Sequence, residues 1–177
     1  DSLVQRKVFK PVLVRVSGIN SIDNAIAYDD SLALQHTTII NLPIDGQCVT
    51  SVAVDPRNAN NVVITLGNYG NEAYVLYSNN ALADEPTFTS MQGTLPKMPV
   101  YSSVIEMETG KVILGTEHGV YMADAIGNAN WISAGHAMGD VPVMELKQQV
   151  MVNPENSTPC VENTGIIYAA TYGRGLF

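Results

Sequence analysis

The stretch VTSVAVDPRNANNVVITL, residues 49–66, decides how the rest of the chain is read. Val49, Val52 and Val54 alternate with small or polar side chains, as a half-buried strand requires. Asp55-Pro56-Arg57-Asn58 then supplies a turn in which the proline presets φ. Val62-Val63-Ile64-Thr65-Leu66 follows as a nearly unbroken apolar run, the pattern of a strand covered on both faces. Strand, turn and buried strand in 18 residues make an antiparallel hairpin.

Working outward from it, residues 67–71 are rich in Gly and Asn and lead into a third strand over residues 73–78. A weaker fourth strand covers residues 87–91. The same order then returns. Residues 99–107 match the first strand, Glu108-Thr109-Gly110 the turn, residues 111–116 the second strand, residues 120–123 the third and residues 130–133 the fourth. A third copy starts near Val143-Met144-Glu145-Leu146, carries an enlarged loop over residues 153–163, and closes through residues 166–171 and 175–177. With Thr65, Thr116 and Thr171 taken as equivalent, the intervals are 51 and 55 residues. Intervals of that size are those of propeller blades. A β-sandwich also has short, regularly spaced strands, but nothing in it calls for an internal repeat. The expected fold is therefore all-β, with three to four propeller blades in an incomplete ring: residues 48–93, 94–140 and 141–177 each form one, and residues 1–47 hold the later strands of a preceding one.

The whole-chain numbers agree with a folded domain. Of 177 residues, 46% are hydrophobic and 15% charged. Seventeen acidic against nine basic residues leave a net charge of −8, which repels a phosphate backbone and argues against nucleic acid as a partner. The longest apolar runs fall far short of the roughly 18 residues of a membrane helix, so no membrane insertion is expected. A start at Asp1, without a basic and apolar leader, is expected of a processed or excised chain. Cys48 and Cys160 lack metal or redox spacing and are compatible with a disulfide or with two separate buried thiols.

Residues 49–65 with their Asp-Pro-Arg-Asn turn, and the ending Thr171-Tyr172-Gly173-Arg174-Gly175-Leu176-Phe177, resemble blades of the sialidase-like and sortilin-like propellers of the BNR/Asp-box type. Many such repeats belong to exported Bacteroidetes proteins, so the resemblance implies a secreted or cell-surface, outer-membrane-associated bacterial protein. The Asp-Ser-Leu triplets at Asp1 and Asp30 fit a short O-glycosylation pattern of such proteins. The family's Asp-box is degenerate here: Asp124, Gly127 and Trp131 keep its order with extra residues between, and Ser78-Asn79-Asn80 keeps its polar start. Its role in the family is structural, an aspartate capping the turn while the aromatic packs inward.

Sequence patterns for chemistry are scarce. Arg6, Arg15, Arg57 and Arg174 do not form the arginine cluster of a sialidase, and Asp29-Asp30 and Asp84-Glu85 read as solvated loop acids. His36, His118 and His136 are isolated, so no catalytic residue, metal or cofactor is assigned. The expected activity is that of a non-catalytic protein- or glycan-interaction module. The rivals are a part of a sialidase- or glucanase-like hydrolase whose site is completed by missing blades, and a docking platform of a secretion or adhesion machine. Candidate contacts lie on the loops after the second strands: Asn68, Tyr69, Asn71 and Glu72; Glu117 and His118; Tyr172 and Arg174. Bare apolar sheet faces at the ends of an arc would need covering, so the expected partners are the remaining blades of this or another propeller chain, or a copy of this one.

Overall fold

Backbone amides that leave a strand edge must find an acceptor, and most of this architecture follows from where those acceptors are. The computed structural model describes residues 10–18, 36–135, 137–151 and 163–177. Arg6, Asp29, Asp30, His136, Cys160, the Asp-Ser-Leu triplets and nearly all of the enlarged loop lie outside them. The all-β expectation holds: among the described residues thirteen strands make four antiparallel sheets, and there is no helix.

The chain divides into two compact units, residues 1–47 and 48–177. The first holds one antiparallel pair, β1 (Val12–Val16) with β2 (Thr37–Asn41), extended by the Ser17 amide donating to the His36 carbonyl at 2.9 Å.

The second unit holds three sheets, each a simple antiparallel meander. The first runs β3 (Val49–Asp55), β4 (Asn58–Leu66), β5 (Val75–Ser78), β6 (Thr89–Ser90). The second runs β7 (Val100–Ile105), β8 (Val112–Thr116), β9 (Gly119–Ala123), β10 (Ile132–Ser133). The third has β11 (Val143–Gln148), β12 (Ile167–Thr171) and β13 (Gly175–Leu176).

The three sheets share features of pairing. Each first strand carries a bulge at the same place, so that Thr50, Tyr101 and Met144 are the extra residues. Just beyond the bulge, one hydrogen bond recurs three times: Gly67 amide to Cys48 carbonyl (3.0 Å), Glu117 to Pro99 (3.1 Å) and Tyr172 to Pro142 (2.8 Å). The register therefore equates Leu66, Thr116 and Thr171, which shifts the sequence alignment on Thr65 by one residue. A bulge inserts its residue without a partner, and an apolar pattern does not reveal which side of it a threonine falls.

The turns between first and second strands repeat too. Asp55, Glu106 and Gln149 each accept the amide two residues ahead, from Arg57 (2.9 Å), Glu108 (2.8 Å) and Met151 (3.0 Å). Gly110 takes φ +77°, a conformation that favours glycine, and its bare Cα also leaves room for a neighbouring side chain. A Cβ there would lie 1.7 Å from the Arg57 guanidinium, which reaches across from the first sheet to donate to the Glu108 carbonyl at 3.1 Å.

Between neighbouring sheets the first strands are stitched by hydroxyls. Ser51 Oγ accepts the Ser103 amide (3.2 Å), and its equivalent Ser102 Oγ accepts the Leu146 amide (3.0 Å). Thr50 Oγ1 donates its only proton to the Val100 carbonyl (2.6 Å), so its contact with Thr65 Oγ1 (2.9 Å) must be one it accepts. Behind the stitches, Val63, Val75, Met91, Val100, Val112, Leu114 and Trp131 form one core, and Val120, Val143, Leu146 and Ala169 a second. The Trp131 indole donates to the Met91 carbonyl at 2.8 Å.

Ser102→Ala should cost about 1–3 kcal/mol in denaturant unfolding, because the buried Leu146 amide is left without an acceptor. Thr89→Ala, on the exposed β6, should stay within about 0.5 kcal/mol of wild type. The Glu106 carboxyl gives a pH test. Burial alone would push it up, but the Thr109 hydroxyl, the Glu108 and Thr109 amides and the Gln148 side chain hold it down, at about 2 against an ordinary 4.5. A depressed folded value means stability that is present above 4.5 and lost as the pH falls from there toward 2. Urea titrations at pH values spanning that window should show a smaller loss on acidification for Glu106→Gln than for wild type.

Candidate functional site

Antiparallel pairing puts the start of each first strand beside the loop that leaves the second strand. Because the stitches set the three first strands side by side in one register, those loops share one rim of the second unit. The candidate residues Tyr69, Glu117, His118, Tyr172 and Arg174 all belong to it. A cavity of about 430 Å³ opens among the three bulges, lined by residues 50–52, 101–103 and 144–147. Its walls mix the hydroxyls of Thr50, Ser51, Ser102 and Ser103 with the Glu145–Lys147 ion pair (3.3 Å).

Tyr101 is the side chain that joins cavity to rim. As the extra residue of a bulge it is aimed away from the sheet ladder, and its hydroxyl donates to Glu117 Oε2. Burial, the hydrogen bond and charge of Glu117, and the nearby Tyr69 together push the phenol up to about 12. It remains a neutral donor throughout the physiological range. Sequence reasoning picked out Glu117 but not Tyr101, which reads as an ordinary residue of a strand until its bulge is seen.

The other candidates divide by exposure. Tyr69 and Tyr172 are 67% and 75% exposed, His118 and Arg174 are exposed, and Glu72 pairs with Lys97 at 3.1 Å on the surface. The Arg174 guanidinium lies against Gly139, 3.6 Å from where a Cβ would stand. Asn71 is buried instead. Its side chain donates to the Asn68 carbonyl (2.7 Å) and its amide to the Tyr74 hydroxyl (3.3 Å), so it shapes the loop that carries Tyr69.

The three residues of the degenerate box lie in the connection from β9 to β10, away from this rim. Trp131 is buried, and Gly127 takes φ +80° under the Tyr77 ring. Asp124 is exposed and pairs with Lys111 at 3.2 Å. The capping role falls to an asparagine in the first sheet: Asn80 Oδ1 accepts from the Ser78 hydroxyl (3.0 Å), the Thr87 amide (2.9 Å) and the Thr87 hydroxyl (3.1 Å). The polar start Ser78-Asn79-Asn80 was the signal for it.

Among the described residues no group of three or more His, Cys, Asp and Glu could hold a metal ion, and Cys48 is exposed. No helix among them is long and apolar enough to cross a membrane. No protein-family model matches the chain, and no curated protein is recognisably similar to it. Glu117→Gln should lower the Tyr101 ionisation from about 12 toward the ordinary 10, stopping short of it because burial persists. An ultraviolet difference titration against wild type measures this directly.

Proposed function

We propose that the three sheets of the second unit are blades of a β-propeller-type array, and that the chain is a non-catalytic interaction module of an exported or cell-surface bacterial protein. The observation that carries the reading is the threefold recurrence of bulge, closing hydrogen bond and turn cap, with first strands stitched edge to edge. A sandwich packs two sheets face to face and gives no reason for such a series. The partners are further blades of the same or another chain, and a protein or glycan ligand at the rim.

Recognition at the rim rests on Tyr69 and Tyr172. Exposed tyrosines bring large contact area with little side-chain entropy to lose, and their loops share the rim that Tyr101 joins to a cavity whose lining can both donate and accept hydrogen bonds. The carboxylates near it do not form an acid and nucleophile pair. Glu117 is engaged by Tyr101 and Glu145 by Lys147, so neither is set up as a proton donor.

Screening the chain against immobilised glycans and peptides tests this. Tyr69→Ala with Tyr172→Ala should weaken whatever binding is found by about tenfold or more, as loss of exposed aromatic anchors does. Asp124→Asn, away from the rim, should leave it unchanged. Turnover of glycoside substrates by wild type, or binding indifferent to the tyrosines, would count against the proposal.

A further inference from the structure

The stitches give every first strand two unlike sides. On the outgoing side the residue after the bulge offers an acceptor: Ser51 in β3, Ser102 in β7. On the incoming side the next residue offers its amide: Ser103 in β7, Leu146 in β11. Two residues further on, the outgoing positions are Ala53 and Val104 and the incoming ones Ile105 and Gln148. Among the described residues the series leaves one incoming side over, Val52 and Val54 on β3, and one outgoing side, Glu145 and Lys147 on β11.

Those two sides differ in kind. Val52 and Val54 are 43% and 51% exposed, while Ser103 and Ile105, at the same positions in β7, are 7% and 3% exposed under the first sheet. A first strand thus presents two valines to solvent where its counterpart is covered. Glu145 and Lys147 replace the serine and small apolar residue of the outgoing pattern with a solvated ion pair. Laying another strand over them would strip water from a carboxylate and an ammonium that no stitch compensates.

We infer that the Val52–Val54 side of β3 is a docking edge for one further first strand, and that the series ends at Glu145 and Lys147. The occupant is a strand of the same repeat bearing serine directly after its bulge and Ala or Val two residues later. Its serine would accept the Val52 amide as Ser51 accepts that of Ser103, and its small residue would cover Val54. The interface continues a seam that the molecule already forms twice. A second copy of the native chain does not qualify, because the outgoing side left open among its described residues is charged. The inference rests on reading the sheets as blades, but its readout is association and not ligand binding at the rim, so the two fail separately.

Glu145→Ser combined with Lys147→Ala converts the charged side into the missing pattern and makes a second copy a competent occupant. Sedimentation velocity over a concentration series should show wild type at its 19.0 kDa monomer mass and the double variant shifting to larger species. Adding Val52→Lys should return it to monomer. A double variant that keeps its circular dichroism and melting temperature yet sediments as wild type overturns the inference. So does association that survives Val52→Lys, or self-association of wild type. Amide exchange on wild type is the second measurement, for a double variant that fails to fold. The Val52 amide should exchange at least about tenfold faster than those of Ser103 and Leu146, and equal protection overturns the docking edge.

Discussion

The outward amide of an edge strand is the constraint on which this structure depends. Each sheet of the second unit ends on its first strand, and an edge strand presents backbone donors that need acceptors. The chain meets the need with a short hydroxyl from the neighbouring sheet. Ser51 and Ser102 hold Ser103 and Leu146 at hydrogen-bond distance, which is possible only where strands approach closely. Gly115 reflects that closeness, since a Cβ there would lie 2.8 Å from the Val143 carbonyl.

Once the first strands are stitched, the burial pattern follows. Each later strand of a meander lies farther from the seam, and sheets held together at one edge bury the faces between them. Val63, Val112 and Leu114 are fully buried there, whereas β6 is exposed. The far ends of the first hairpins are tied as well, by Arg57 to the Glu108 carbonyl and by Gln148 to Glu106 and the Met107 amide. Polar ties at both ends of the seam limit how far neighbouring sheets can slide, and the apolar layer between them supplies the driving force.

The same geometry makes the rim. A bulge adds a residue that the ladder does not use, and in three aligned strands the added residues Thr50, Tyr101 and Met144 all border one cavity. One secures the seam, one binds a loop glutamate, and the third is exposed. Variation at a position free of ladder duty is what a recognition surface built on a repeated scaffold calls for.

Strand content, strand order and repeat length were legible in the chain, because alternation of apolar residues and the chemistry of turn residues act over a few neighbours. Asp55 and Gly110 could be placed in turns for that reason, whereas Glu106 reads as the end of a strand until its carboxyl is seen to accept the Glu108 amide. The register was not legible: Thr65 aligned with Thr116 by composition, but the bulge makes Leu66 its equivalent, and a bulge shows only in the pairing. Asn71 belongs to a polar loop in sequence and is buried in space, since its amide group serves the loop backbone. Tyr101 was passed over, and Asn80 was read only as part of a polar start, because their importance lies in which atoms they meet. What the sequence alone determined is therefore the local alternation that makes this an all-β, repeated chain. Only the tertiary structure decided which serine accepts which amide across some fifty residues, and so which side chains remain free to act, because an unpaired edge takes its partner from whatever folding brings beside it.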